Sequence, residues 1–72
     1  MTRYRHIINT RPRAEWLALI NEWIHDERDR AMLARRLLDG MTMEEIAEEY
    51  GLSAVQTQKI IKKSRTQLFS HV

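Results

Sequence analysis

The residues with chemistry to offer gather near the C-terminus. Lys59, Lys62, Lys63 and Arg65 lie close together, and no Asp or Glu follows Glu49. Cations unopposed by acids suit phosphate, whose charge dominates affinity for nucleic acid. Just before them, Gln56 and Gln58 carry amides able to pair with base edges, and Val55 offers methyl groups suited to the thymine methyl. On a 3.6-residue period Thr57, Ile60, Ile61, Ser64 and Leu68 share one stripe, which leaves Val55, Gln58, Lys59, Lys62 and Thr66 on the opposite face. The spacing predicts a helix with one apolar side and one polar, basic side.

That helix needs a partner to aim it, and residues 42–69 supply one. Thr42 and Glu45 have the S/T-x-x-E spacing of a capping box, and Met41 and Ile46 occupy the positions of a hydrophobic staple. The helix they open must stop near Tyr50, because Gly51 accepts the left-handed conformation that closes a helix. Ser53 then reads as the N-cap of the basic helix, with Gln56 as its box partner. Only Gly51, Leu52 and Ser53 separate the two helices. A Gly-containing turn that short is the signature of a helix-turn-helix.

Ile46, Ala47, Gly51, Leu52, Ser53 and Ile60 stand where bacterial helix-turn-helix proteins carry their buried Ile, small Ala, turn Gly, packed Leu, N-cap and buried aliphatic. The chain resembles region four of bacterial sigma factors, through the segments LLDGMT, EEIAEEYGLS and KKSRTQL, over roughly residues 27–68. The resemblance implies sequence-specific binding of double-stranded DNA in bacterial or phage transcription, with Ser53–Phe69 as the recognition helix. It implies base reading by Val55, Gln56 and Gln58, and phosphate contacts from Lys59, Lys62, Lys63 and Arg65. Ser53 and Thr42 stand at the two helix starts, Thr42 offering its backbone N–H or hydroxyl. Arg36 falls where the family places a base near the DNA backbone. The pattern is departed from at Thr57, usually Val or Ile, and at Arg35, often apolar. The first implies looser packing of the recognition helix, the second a wetter face on the helix before the motif.

Upstream, Pro12 suits a first helical turn, and Trp16, Leu17, Ile20, Trp23 and Ile24 recur at helical spacing to about His25. This apolar stripe reads as core; the alternative is a protein-docking face, with Trp16 and Trp23 presented to RNA polymerase. Asp26 is the expected N-cap of a second helix, whose apolar side is Met32, Leu33, Leu37 and Leu38 and whose end is Asp39-Gly40. Arg28, Arg30, Arg35 and Arg36 read as its solvated face, as do Glu44, Glu45, Glu48 and Glu49 on the next helix. Residues 1–11 lack helical period and read as a basic arm prone to disorder, whose Arg3, Arg5 and Arg11, with Arg13 just beyond, suit phosphates or a minor groove.

The expected architecture is therefore all-α: a small four-helix domain over residues 12–72 with a C-terminal helix-turn-helix. At 72 residues the chain is near the lower limit for a self-supporting core and too small for a deep catalytic cleft. No acid-base constellation, Gly-rich phosphate loop or cofactor motif is present, so an enzyme is not expected. His6, His25 and His71 lack the spacing of a shared metal site. The absence of Cys and of any apolar run of membrane length points to the cytoplasm, with no membrane partner. The net charge of +2 hides sign changes along the chain: residues 14–27 and 40–51 are acidic, while residues 1–13, 28–39 and 52–72 are basic. A monomer or homodimer is expected. A phage or mobile-element packaging or accessory protein, whose helix-turn-helix serves assembly, is the alternative to a regulator.

Overall fold

The structure, a computed structural model, describes residues 9–71. Four helices follow one another: α1 (Arg13–Trp23), α2 (Glu27–Leu37), α3 (Met43–Tyr50) and α4 (Ala54–Phe69). The all-α expectation holds, with the helix-turn-helix formed by α3 and α4. Most of the basic arm lies outside the described residues.

Local chemistry sets nearly every boundary. Asp26 accepts from the Asp29 N–H at 3.0 Å and caps α2. Thr42 and Glu45 form the reciprocal capping box of α3, with bonds of 2.8 and 3.1 Å. Ser53 and Gln56 repeat it on α4, at 3.0 and 3.1 Å. Pro12 takes the N-cap position of α1 instead of its first turn; its ψ of 156° is extended, and α1 ends at Trp23, slightly before the expected His25.

The α3–α4 turn rests on Gly51, whose φ of 66° is left-handed. Reversal there lets the Leu52 N–H reach the Ala47 carbonyl at 2.9 Å and the Gly51 N–H reach that of Glu48 at 3.4 Å, the two bonds of a Schellman motif. Leu52 packs half-buried against the core, so the turn is anchored as well as bent.

Every helix contributes to one core: Trp16 and Ile20 from α1, Met32 and Leu33 from α2, Ile46 from α3, and Ile61 and Leu68 from α4. The α4 helix packs against each of the other three. Trp16 is 1% exposed and meets Phe69 edge-on, with ring centroids 5.9 Å apart. The far end of α4 is tied to α1 a second time, where the Gln67 amide donates to the Trp23 carbonyl at 2.7 Å. Such long-range closure matters in a domain with little core to spare.

Gly51→Val tests the turn. No atom lies within 4 Å of the Cβ position, so its cost is conformational alone. A β-branched residue at this φ should cost roughly 1–2 kcal/mol, seen in chemical denaturation as an earlier midpoint at unchanged slope, whereas Gly51→Asn should cost clearly less. Equal stability of the two variants would contradict a left-handed turn.

Candidate nucleic-acid interface

The α4 stripe is buried as its spacing predicts. Thr57, Ile61, Ser64 and Leu68 are buried and Ile60 is half-buried, while Val55, Gln58, Lys59, Lys62 and Thr66 are exposed. Val55, at 61% exposure, is the most open large apolar side chain among the described residues. The implied looseness at Thr57 does not occur. Its hydroxyl is fully buried but donates to the Ser53 carbonyl at 2.9 Å, so the polar atom carries no unmet bond.

The first turn of α4 divides its two glutamines. Gln56 is already committed: its Oε1 accepts from the Ser53 N–H at 3.0 Å. Pairing with adenine needs amide oxygen and nitrogen together in one plane, so the capping box restrains Gln56 for that task in a way that Gln58 is not restrained. Gln58 is exposed, and among the described residues its side chain has no hydrogen-bond partner, which leaves both amide groups open. Ser53 and Thr42 serve likewise as caps, each hydroxyl oxygen accepting a backbone N–H while its hydrogen stays able to donate. The Thr42 N–H donates to Glu45 Oε1 at 2.8 Å, which removes the backbone contact expected of it and leaves only the hydroxyl hydrogen to donate.

The cations divide as sharply. Among the described residues, Lys59, Lys62 and Lys63 form no ion pair or hydrogen bond. Lys63 shares a shallow polar hollow with Asp26 and Asp29, whose carboxylates make phosphate less welcome beside it than at Lys59 or Lys62. Arg65 is half-buried and already interacts with the rest of the protein.

Of the α2 arginines expected on a solvated face, Arg28 is exposed and pairs only with its neighbour Asp29 at 3.3 Å, whereas Arg30, Arg35 and Arg36 are half-buried and used within the fold. The half-buried Arg36 donates from Nη1 to the Met41 carbonyl at 2.8 Å, so it ties the α2–α3 connection, a structural use that the sequence did not indicate. Arg30 donates to the Ile24 carbonyl and holds the α1–α2 corner. Arg13 pairs with Asp39 at 2.8 Å; Arg11 pairs with Glu15 at 3.3 Å and lies over the Trp16 ring.

Arg35 grips Glu49 through two parallel bonds of 2.8 and 2.7 Å and lies 5.9 Å from the Tyr50 ring centroid. The Glu49 hydrogen bond, and after it Tyr50, raises the Arg35 pKa above its ordinary value. All four glutamates of α3 lie on its exposed face as expected, but Glu45 and Glu49 also have partners within the fold, leaving Glu44 and Glu48 as its open acids. Sequence spacing gave no sign of the Arg35–Glu49 pair, whose members lie on different helices.

The tryptophan stripe of α1 is core, as its spacing predicts, and leaves little of the alternative docking face open. Trp16 is core, and Trp23 is half-buried under His71, whose ring stacks on it at 3.7 Å with 5° between planes. Among the described residues no helix is long and apolar enough to cross a membrane, and no cluster of His, Cys, Asp or Glu could hold a metal ion.

Two helices at a tight glycine turn, the second presenting an open amide and unpaired lysines, define a helix-turn-helix protein. Residues 24–67, more than half the chain, match the homeodomain-like domain, and the chain belongs to that family. Neither the curated proteins nor the solved structures provide a match. The matched stretch holds α2, α3 and α4 up to Gln67, so α1 lies outside it even though Trp16 and Ile20 complete the core.

Arg36→Ala should separate structure from contact. Losing its bond to the Met41 carbonyl should cost about 1 kcal/mol of stability, measured by thermal unfolding. The salt dependence of DNA binding should not change. A shallower salt slope at unchanged melting temperature would return Arg36 to the phosphate-contacting set.

Proposed function

We propose that this protein binds double-stranded DNA sequence-specifically through the outer face of α4 and acts in transcriptional control in the cytoplasm, as a binding protein rather than an enzyme. One observation carries the reading: the cations without a hydrogen-bond or ion-pair partner among the described residues are lysines of α4, while each arginine of α1 and α2 has a partner within the chain. Membership of the homeodomain-like domain supports it, since helix-turn-helix domains use their second helix in the major groove. The finer likeness to sigma region four rests on the segments quoted above.

In this reading the N-terminal half of α4 enters the major groove. Gln58 pairs with a base edge and Val55 meets a thymine methyl, while Lys59 and Lys62 neutralise phosphates on either side. Lys63 and Arg65 assist from the flanks. Glu44 and Glu48 keep the outer side of α3 from competing for DNA, because like charge repels the backbone.

Affinity for duplex DNA should fall with salt, log K against log [salt] having a slope of roughly −0.9 per phosphate neutralised. Binding indifferent to salt would contradict the lysine contacts. Within α4, Gln58→Ala should relax preference at one base step, at about 1–3 kcal/mol of discrimination. Lys62→Ala should weaken selected and scrambled duplexes about equally and make the salt slope shallower by about one unit. Competition binding distinguishes the two; preference that survives Gln58→Ala but vanishes with Lys62→Ala would mean that α4 lies in the groove the other way round.

A further inference from the structure

The three polar groups of Ser53 are all held by the turn that follows. Its N–H donates to Gln56 Oε1, its Oγ accepts from the Gln56 N–H, and its carbonyl accepts from both the N–H and the hydroxyl of Thr57, at 3.0 and 2.9 Å. The last bond differs from the others because its donor is fully buried while the residues around it at the start of α4 are exposed.

A buried hydroxyl must find an acceptor, and a Thr within a helix finds it in the carbonyl four residues back. That acceptor exists only while the first turn is wound. If Ser53–Gln56 frays, as helix ends readily do, a Val at position 57 would lose nothing in the core, whereas Thr57 would be left with an unsatisfied buried hydroxyl. Core packing and order of the exposed first turn are therefore coupled through one side chain.

We infer that Thr57 is a positioning residue: its buried hydroxyl keeps the first turn of α4 wound in the free protein, so that Val55 and Gln58 are pre-set for recognition. This inference rests on the reading of α4 as the DNA-contacting helix. Pre-setting raises affinity for the matching site because less order remains to be imposed on binding.

The test uses the whole chain as wild type, Thr57→Val and Thr57→Ser, with amide hydrogen exchange of the free proteins, thermal unfolding, and competition of a selected duplex against a scrambled one. Thr57→Val keeps the shape and drops the hydroxyl. It should melt no lower than wild type, yet exchange on the order of tenfold faster at Gln56, position 57 and Gln58 relative to Ile61 and Ser64, and lose several-fold in preference for the selected site. Thr57→Ser keeps the hydroxyl and drops the methyl, so it should melt lower while its first turn stays protected relative to Ile61 and its preference persists. Unchanged first-turn exchange in Thr57→Val overturns the coupling, as does equally fast exchange in Thr57→Ser. Faster exchange with unchanged preference overturns the positioning role. Failure of the wild type to bind any duplex would sink the DNA reading itself, an outcome kept distinct because exchange is measured without DNA.

Discussion

The burial of one stripe of α4 is the constraint on which the rest depends. Thr57, Ile61, Ser64 and Leu68 face the core, and a helix that hides one side has no choice about what it shows on the other. Lys59 and Lys62 are exposed because Ile61 and Leu68 are not. The core side reaches all three neighbouring helices, so the outer face is held by the whole domain. Burial of Trp16 and Ile20 by α1 extends that hold beyond the residues shared with the homeodomain-like family.

Charge is sorted by the chemistry of the cation. Arginine presents a planar fork that fits a carboxylate or carbonyl with directed bonds, and in this chain it ties corners: Arg30 to Ile24, Arg36 to Met41, Arg35 to Glu49. Lysine carries a compact, strongly hydrated charge on a flexible stem, and Lys59 and Lys62 are left in solvent. A total of +2 thus understates the attraction available to a polyanion, because most of the remaining charge is neutralised or used within the fold.

How much was legible in the sequence follows from the range of the interactions. Capping boxes and the glycine turn act within a few residues, and both were read at the right positions, down to Thr42 with Glu45 and Ser53 with Gln56. The helical period likewise separated buried Ile61 from exposed Lys62. What escaped was the second use of a side chain. Gln56 suits both a cap and a base edge, and only geometry shows its oxygen already taken. Arg36 and Arg35 read as surface because their partners are a carbonyl beyond the helix end and a carboxylate on another helix. Thr57 read as a flaw in the packing because its acceptor, a backbone carbonyl, has no signature of its own.

The most direct test of the account is to titrate the labelled protein with duplex DNA and follow every backbone amide and both tryptophan indoles by NMR. Perturbation should concentrate on α4 at Val55, Gln58, Lys59 and Lys62, with smaller changes at Thr42 and little at the Trp16 indole, which the core encloses. Changes centred instead on the exposed side of α1 around Leu17, or on Glu44 and Glu48 of α3, would contradict the claim that α4 is the surface that meets DNA.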